Sequence, residues 1–202
     1  QHSKTAINIT LSKNFAAENL DGRLLLLFAS NDESEPRFQI EDGLNSQLIF
    51  GMNVENMKPE VAISFDETAL GFPIENLKEI KPGDYYVQAL LHVYETFNLS
   101  TGHTVKLPMD NGEGQKWNKS PGNMYSKPKK ITIKKQGDLN IAIELDQKIP
   151  EIEPPVDTKW IKHVSMKSEK LTEFWGRDMY LGAHVLLPKG FDEHPEANYP
   201  LM

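Results

Sequence analysis

Apolar and polar positions alternate along most of this chain with a period of two, and that period predicts strands in preference to helices. In residues 4–11, Thr5, Ile7, Ile9 and Leu11 fall on one face and Ala6, Asn8 and Thr10 on the other, the pattern of a half-buried strand. Residues 19–22, Asn-Leu-Asp-Gly, read as a turn. Residues 23–30 follow with a continuous apolar run, Leu24 to Phe28. That run is short and is bounded by Asp21-Gly22 and by Asn31-Asp32-Glu33-Ser34, so a buried strand is predicted there. Residues 47–52 and 61–66 are shorter strand candidates on either side of a loop at Met57-Lys58-Pro59. Residues 75–80 read as a single helical turn.

The chain is organised around residues 80–96. They open with the turn Pro82-Gly83-Asp84 and continue as about ten residues of Tyr, Val, Leu, Gln and His without a breaker. Aromatic and β-branched side chains suit a pleated surface, so this is a strand. Tyr85, Val87, Ala89, Leu91 and Val93 share one face; Tyr86, Gln88, Leu90, His92 and Tyr94 share the other. Both faces carry apolar area, which predicts a central strand covered at least in part on both sides.

Residues 100–123 are rich in Gly, Asn, Asp and Pro and lack periodicity, a loop long enough to be functional or pinned by a partner. Strands are predicted again at 130–134 and 139–145, joined by Gln136-Gly137-Asp138. Some seven strands at short spacing, with almost no helix, predict an all-β fold: an immunoglobulin-like antiparallel β-sandwich over residues 1–149. Residues 150–158 are a Pro-rich, extended linker. Beyond it, residues 159–202 form a truncated β segment: strands at 160–168 and 179–187, with Ser168 capping one short helix between them. This segment is too thin to build a core alone. Its strands are expected to pair with the sandwich, to pair with a second copy as a homo-oligomer, or to be poorly ordered.

Composition narrows the classes. At 202 residues, 39% hydrophobic and 25% charged, the chain has the composition of a soluble globular protein. A net charge of −7 argues against nucleic acid as a partner, and Lys127, Lys129, Lys130, Lys134 and Lys135 read as the solvated face of a strand. No apolar run reaches the length of a membrane span. With no cysteine there are no disulfides, thiolate nucleophiles or Cys-ligated metals. The chain opens at Gln1 and not Met, which reads as a processed or engineered product.

Candidate chemistry is sparse. His92, His103, His184 and His194 stand singly, with neither His-x₃-His nor His-Glu-x-x-His spacing, so no metal and no cofactor are expected. Asp110-Asn111-Gly112-Glu113-Gly114 gathers oxygen ligands as calcium loops do, but without EF-hand spacing, and a turn is favoured. Trp117, Trp160 and Trp175, with Tyr85, Tyr86, Tyr94 and Tyr125, would serve as a stacking platform for sugar rings or as packing. Trp117, in the long polar loop, is the best member of that set, while Trp160 and Trp175 flank the linker and the last segment, where packing is favoured. Trp117, Tyr125, His103 and Asn123 are the ligand-binding candidates.

Tyr180-Leu181-Gly182-Ala183-His184-Val185-Leu186-Leu187-Pro188-Lys189-Gly190-Phe191-Asp192, followed by Tyr199-Pro200-Leu201-Met202, resembles the entry strands of bacterial esterases of the α/β-hydrolase class, akin to enterochelin esterases. Upstream, Gly83 to Ala89, Gly102 to Pro108, Gly114 to Trp117 and Ser120-Pro121-Gly122-Asn123 are similar to the immunoglobulin-like domain that precedes the hydrolase in some of those proteins. The resemblance implies that residues 159–202 are the opening strands of an incomplete hydrolase domain and that the remainder of that domain is the partner. It also implies a periplasmic or extracellular location. The family's nucleophile sits in a Gly-x-Ser-x-Gly elbow, and no serine here has that setting, so this chain has no catalytic residue of its own.

Two functions stay open, ahead of an enzyme complete in itself, for which no nucleophile–base or carboxylate pair stands at a usable spacing. The first is a non-catalytic accessory domain of an esterase that packs against the hydrolase and shapes substrate access through residues 100–123. The second is a carbohydrate- or peptide-binding sandwich. Exposure of Trp117 and Tyr125 on one face favours the second, and their burial at the linker side favours the first.

Overall fold

The computed structural model describes residues 6–15, 19–43, 45–66 and 68–200. Lys4 and Thr5 of the first expected strand, and Leu201-Met202 of the final motif, lie outside the described residues. The chain divides into two units: residues 1–96 with 106–152, and residues 97–105 with 153–202.

In the first unit the strands are β1 (Ala6–Leu11), β2 (Leu20–Ala29), β3 (Leu48–Met57), β4 (Ile63–Ser64), β5 (Leu70–Phe72) and β6 (Gly83–Asn98, whose last two residues belong to the second unit). After β7 (Thr104–Leu107), at the boundary, come β8 (Met124–Tyr125), β9 (Lys129–Ile133), β10 (Asn140–Leu145) and β11 (Gln147–Lys148). They make two sheets. The larger runs β11-β8-β6-β2-β3-β5, with β7 and β9 also paired to β6; the smaller runs β10-β1-β4.

Alternation builds the core between them. Ile7, Ile9 and Leu11 of β1 and Ile141, Ile143 and Leu145 of β10 are buried against Leu24, Leu26 and Phe28 of β2, Phe50 of β3, and Val87, Ala89 and Leu91 of β6. Each of these side chains larger than Ala89 contributes roughly 1.5–3 kcal/mol by leaving water. The apolar run of β2 is continuous because its other face is covered too: Leu25 and Leu27 join Leu90 and Ile149 in a second cluster. β6 is thus central, paired with β2 from Asp21↔Tyr94 to Ala29↔Tyr86 and covered on both faces. The architecture is an all-β sandwich whose described strands pair antiparallel except where β1 runs parallel to β10, with Ile7 opposite Ile141, and at an isolated parallel bridge between Leu11 and Pro59.

Several local expectations are corrected. Residues 20–22 are strand and not turn; the register shifts between Leu20 and Gly22, and a Cβ on Gly22 would collide with the His92 carbonyl oxygen. This glycine admits a neighbouring backbone, a use that looks the same as turn chemistry in sequence. β3 extends five residues beyond the predicted end, because Val54 and Met57 add core anchors. The 61–66 candidate shrinks to Ile63–Ser64. β9 pairs with β6 and β10 with β1, so the connection through Gln136-Gly137-Asp138 crosses between sheets. The 100–123 loop is interrupted by β7.

The second unit holds β12 (Ile161–Lys167), α1 (Glu169–Trp175) and β13 (Tyr180–Leu186). Ser168 caps α1 by accepting the Leu171 N–H, and Gly176 ends it in the left-handed region at φ 68°. Trp175 packs edge-on to the buried Phe97 at 5.0 Å, and Ser100 donates to the Phe174 carbonyl at 2.8 Å. β12 and β13 pair with each other in a two-stranded antiparallel sheet, from Ile161↔Leu186 to Lys167↔Tyr180.

Candidate functional site

Three of the four ligand-binding candidates converge on the second cluster, over the face of the large sheet turned away from the main core. Tyr125 stands opposite Leu90, and its ring and that of Trp117 pack, half-buried, with Leu25, Leu27, Leu90 and Ile149. Ile149 is the last buried residue before the Pro-rich stretch.

A polar network crosses this cluster. Arg37, 8% exposed, lies with its guanidinium carbon 4.2 Å from the Tyr125 ring centroid and 4.5 Å from that of Phe38. Its Nε donates to Glu35 Oε2 at 2.8 Å and its Nη1 to the Asn118 carbonyl at 3.1 Å. Asn118 returns a bond from Nδ2 to the Arg37 carbonyl. Below them Gln88, on the central strand and fully buried, accepts the Arg37 N–H through Oε1. Its Nε2 donates to Glu35 Oε2 and to the Ser126 carbonyl.

Asn123 is 1% exposed, and both ends of its amide are engaged. Oδ1 accepts the Val93 N–H at 2.9 Å, and Nδ2 donates to the Trp117 carbonyl at 2.8 Å. Its backbone carbonyl accepts the Ile149 N–H. No buried side-chain polar atom among the described residues lacks a partner. Each buried polar atom of this network thus has a partner inside the fold. Chemically this is a clamp that fixes residues 35–38 and 116–126 to β6.

His103 belongs to the second unit, where it is exposed, with Nδ1 3.0 Å from Thr101 Oγ1. The Asp110 loop closes on itself: Asp110 Oδ1 accepts the N–H of Gly112 and Gly114, and Glu113 Oε2 that of Asn111. Its carboxylates serve a turn. His92 is partly buried, and burial pushes its imidazole below the ordinary value against the opposing charge of Glu113.

In the second unit, Trp160 and Phe191 line a cleft of about 290 Å³ with Lys159, Lys189, Asp192 and Glu193. His163 and His184 face each other across the hairpin, ring centroids 4.7 Å apart. Arg37, Gln88 and His163 are the residues that sequence reasoning missed. For His163, the register of the two strands carries the signal: both lie on alternating runs and meet at one rung. Among the described residues no three His, Cys, Asp or Glu gather as a metal-ligand set. No described helix is long and apolar enough to cross a membrane.

The fold is that of an all-β sandwich, and its best-built polar cluster ties residues 35–38 and 116–126 to the central strand. Comparison with family models, with curated proteins and with solved structures finds no match for the chain.

Proposed function

We propose that the sandwich is a non-catalytic, immunoglobulin-like accessory domain of an esterase-like α/β-hydrolase, acting in the periplasm or outside the cell, and that β12 and β13 are opening strands of that hydrolase. The observation that carries this reading is the face pattern of the hairpin. Lys162↔Val185, Val164↔Ala183 and Met166↔Leu181 share one side of the two-stranded sheet, and Val164, Met166 and Leu181 are 49%, 59% and 48% exposed. An apolar sheet face left in water is one built to be covered, as a hydrolase sheet is covered by helices.

The position of Trp117 and Tyr125 supports the accessory role over a binding module. Both rings pack beside Ile149 at the linker side of the sandwich and do not stand out as a stacking platform.

The test is a p-nitrophenyl ester assay on this chain beside the longest product of its source gene. Hydrolysis by the longer product and none by this chain is the expected result. Absence of activity in both, or a gene product no longer than this chain, overturns the reading.

A further inference from the structure

On the other side of the hairpin, His163 and His184 occupy directly opposed positions of β12 and β13. Opposed residues on antiparallel strands hold their Cβ atoms about 4.5–5.5 Å apart. The two imidazoles meet edge to face, centroids 4.7 Å apart, and His184 is exposed. Asp157 fixes one of them. Its Oδ1 accepts the His163 backbone N–H at 2.8 Å and lies 3.1 Å from Nδ1. Lys162 Nζ is 3.8 Å from Oδ2. With Nδ1 engaged by this carboxylate, Nε2 is the ring nitrogen left for a metal, the carboxylate–histidine pairing that orients ligating imidazoles.

We propose that His163 and His184 form a two-nitrogen chelate for a divalent transition metal of the zinc type, with Asp157 as a positioning residue behind His163. Nitrogens bound to zinc lie about 2.0–2.1 Å from it, which puts two of them roughly 3 Å apart on one ion. Rings with centroids 4.7 Å apart reach that separation by rotation of the exposed His184 side chain. Water fills the remaining positions, so the site is open and of the binding, not the fold-forming, kind. The inference stands apart from the hydrolase reading, since it needs only the hairpin.

Zinc chloride is titrated into the full chain by calorimetry, with imidazole NMR in parallel. One ion per chain is expected, with His163 and His184 signals shifting together. His163→Ala and His184→Ala should each weaken binding by about tenfold or more. His103→Ala and His2→Ala, the latter outside the described residues, should leave it unchanged. Asp157→Ala should weaken zinc binding and, in the metal-free protein, remove the single-tautomer ¹⁵N signature of His163, which a purely structural role would not move. Circular dichroism checks that the exposed variants keep their fold. Absence of binding overturns the proposal, as does zinc affinity unmoved by loss of either histidine.

Discussion

The Arg37 guanidinium stacks 4.2 Å above the Tyr125 ring while its Nη1 donates to the Asn118 carbonyl, so one side chain ties residues 35–38 to residues 116–126 at two points. Removing it leaves Glu35 Oε2 with only Gln88 and strips the Asn118 carbonyl of a donor. Arg37→Ala should destabilise the first unit by about 2–4 kcal/mol in urea unfolding, the range for breaking a buried charged network. Arg37→Lys should recover only part of the loss, because an ammonium has neither the planar stack nor the forked donors. A double-mutant cycle with Tyr125→Leu should show a coupling of about 0.5–2 kcal/mol.

Asn123 separates a structural from a ligand-binding role. Asn123→Ala leaves the Val93 N–H and the Trp117 carbonyl without their partners inside the fold, at a cost of about 1–3 kcal/mol for each group stranded. Asn123→Asp should be at least as harmful, since it removes the donor and points an anion at the Trp117 carbonyl. Thermal unfolding should register both losses. Unchanged stability in Asn123→Ala would mean that the amide is free for a ligand after all.

The parts legible in sequence are those where one residue's chemistry decides alone. Ile7, Ile9 and Leu11 announce a strand by alternation, Val87 to Leu91 announce a doubly covered one, and Ser168 announces a cap. What stayed hidden depends on a second segment far along the chain. Asp21-Gly22 has turn chemistry, yet Gly22 serves the close pass of the His92 carbonyl, 70 residues away in sequence. Arg37 looks like a solvated cation until Tyr125 and Asn118 are laid on it. His163 and His184 are 21 residues apart and become neighbours only through the strand register. Likewise, Gly137 marks a turn, but nothing local tells that the chain changes sheets there.

Acid should weaken the first unit through Asp21. Its carboxylate holds Lys106 Nζ at 2.9 Å and accepts the Asn56 N–H at 2.7 Å, and these, led by Lys106, lower its pKa below the ordinary 3.8. A carboxyl lowered on folding adds stability that is complete above the unfolded value and is lost as pH falls through the folded one. The stability advantage of the native chain over Asp21→Asn should therefore be constant from about pH 7 to about pH 5 and shrink at lower pH. Melting curves of the two proteins across that range check it. An advantage that grows on acidification would reverse the sign of the interaction.

In the second unit, Gly176 should be the least replaceable position of the helix. It sits at φ 68°, where a side chain is strained, and a Cβ there would lie 2.7 Å from the Asn98 carbonyl oxygen, a backbone atom that cannot swing aside. Its N–H also closes the helix on the Thr172 carbonyl. Gly176→Ala thus meets two penalties: about 1 kcal/mol or more for the left-handed backbone, and the displacement of residues 97–99 from α1. The Phe97–Trp175 contact at 5.0 Å is the reporter, so tryptophan emission should shift toward a wetter environment at low denaturant. Gly182 in β13 is the control. A Cβ there meets nothing within 4 Å, and Gly182→Ala should leave the emission unchanged and the hairpin no less stable, because a strand interior favours alanine over glycine. Equal behaviour of the two variants would show that the helix end does not depend on its approach to Asn98.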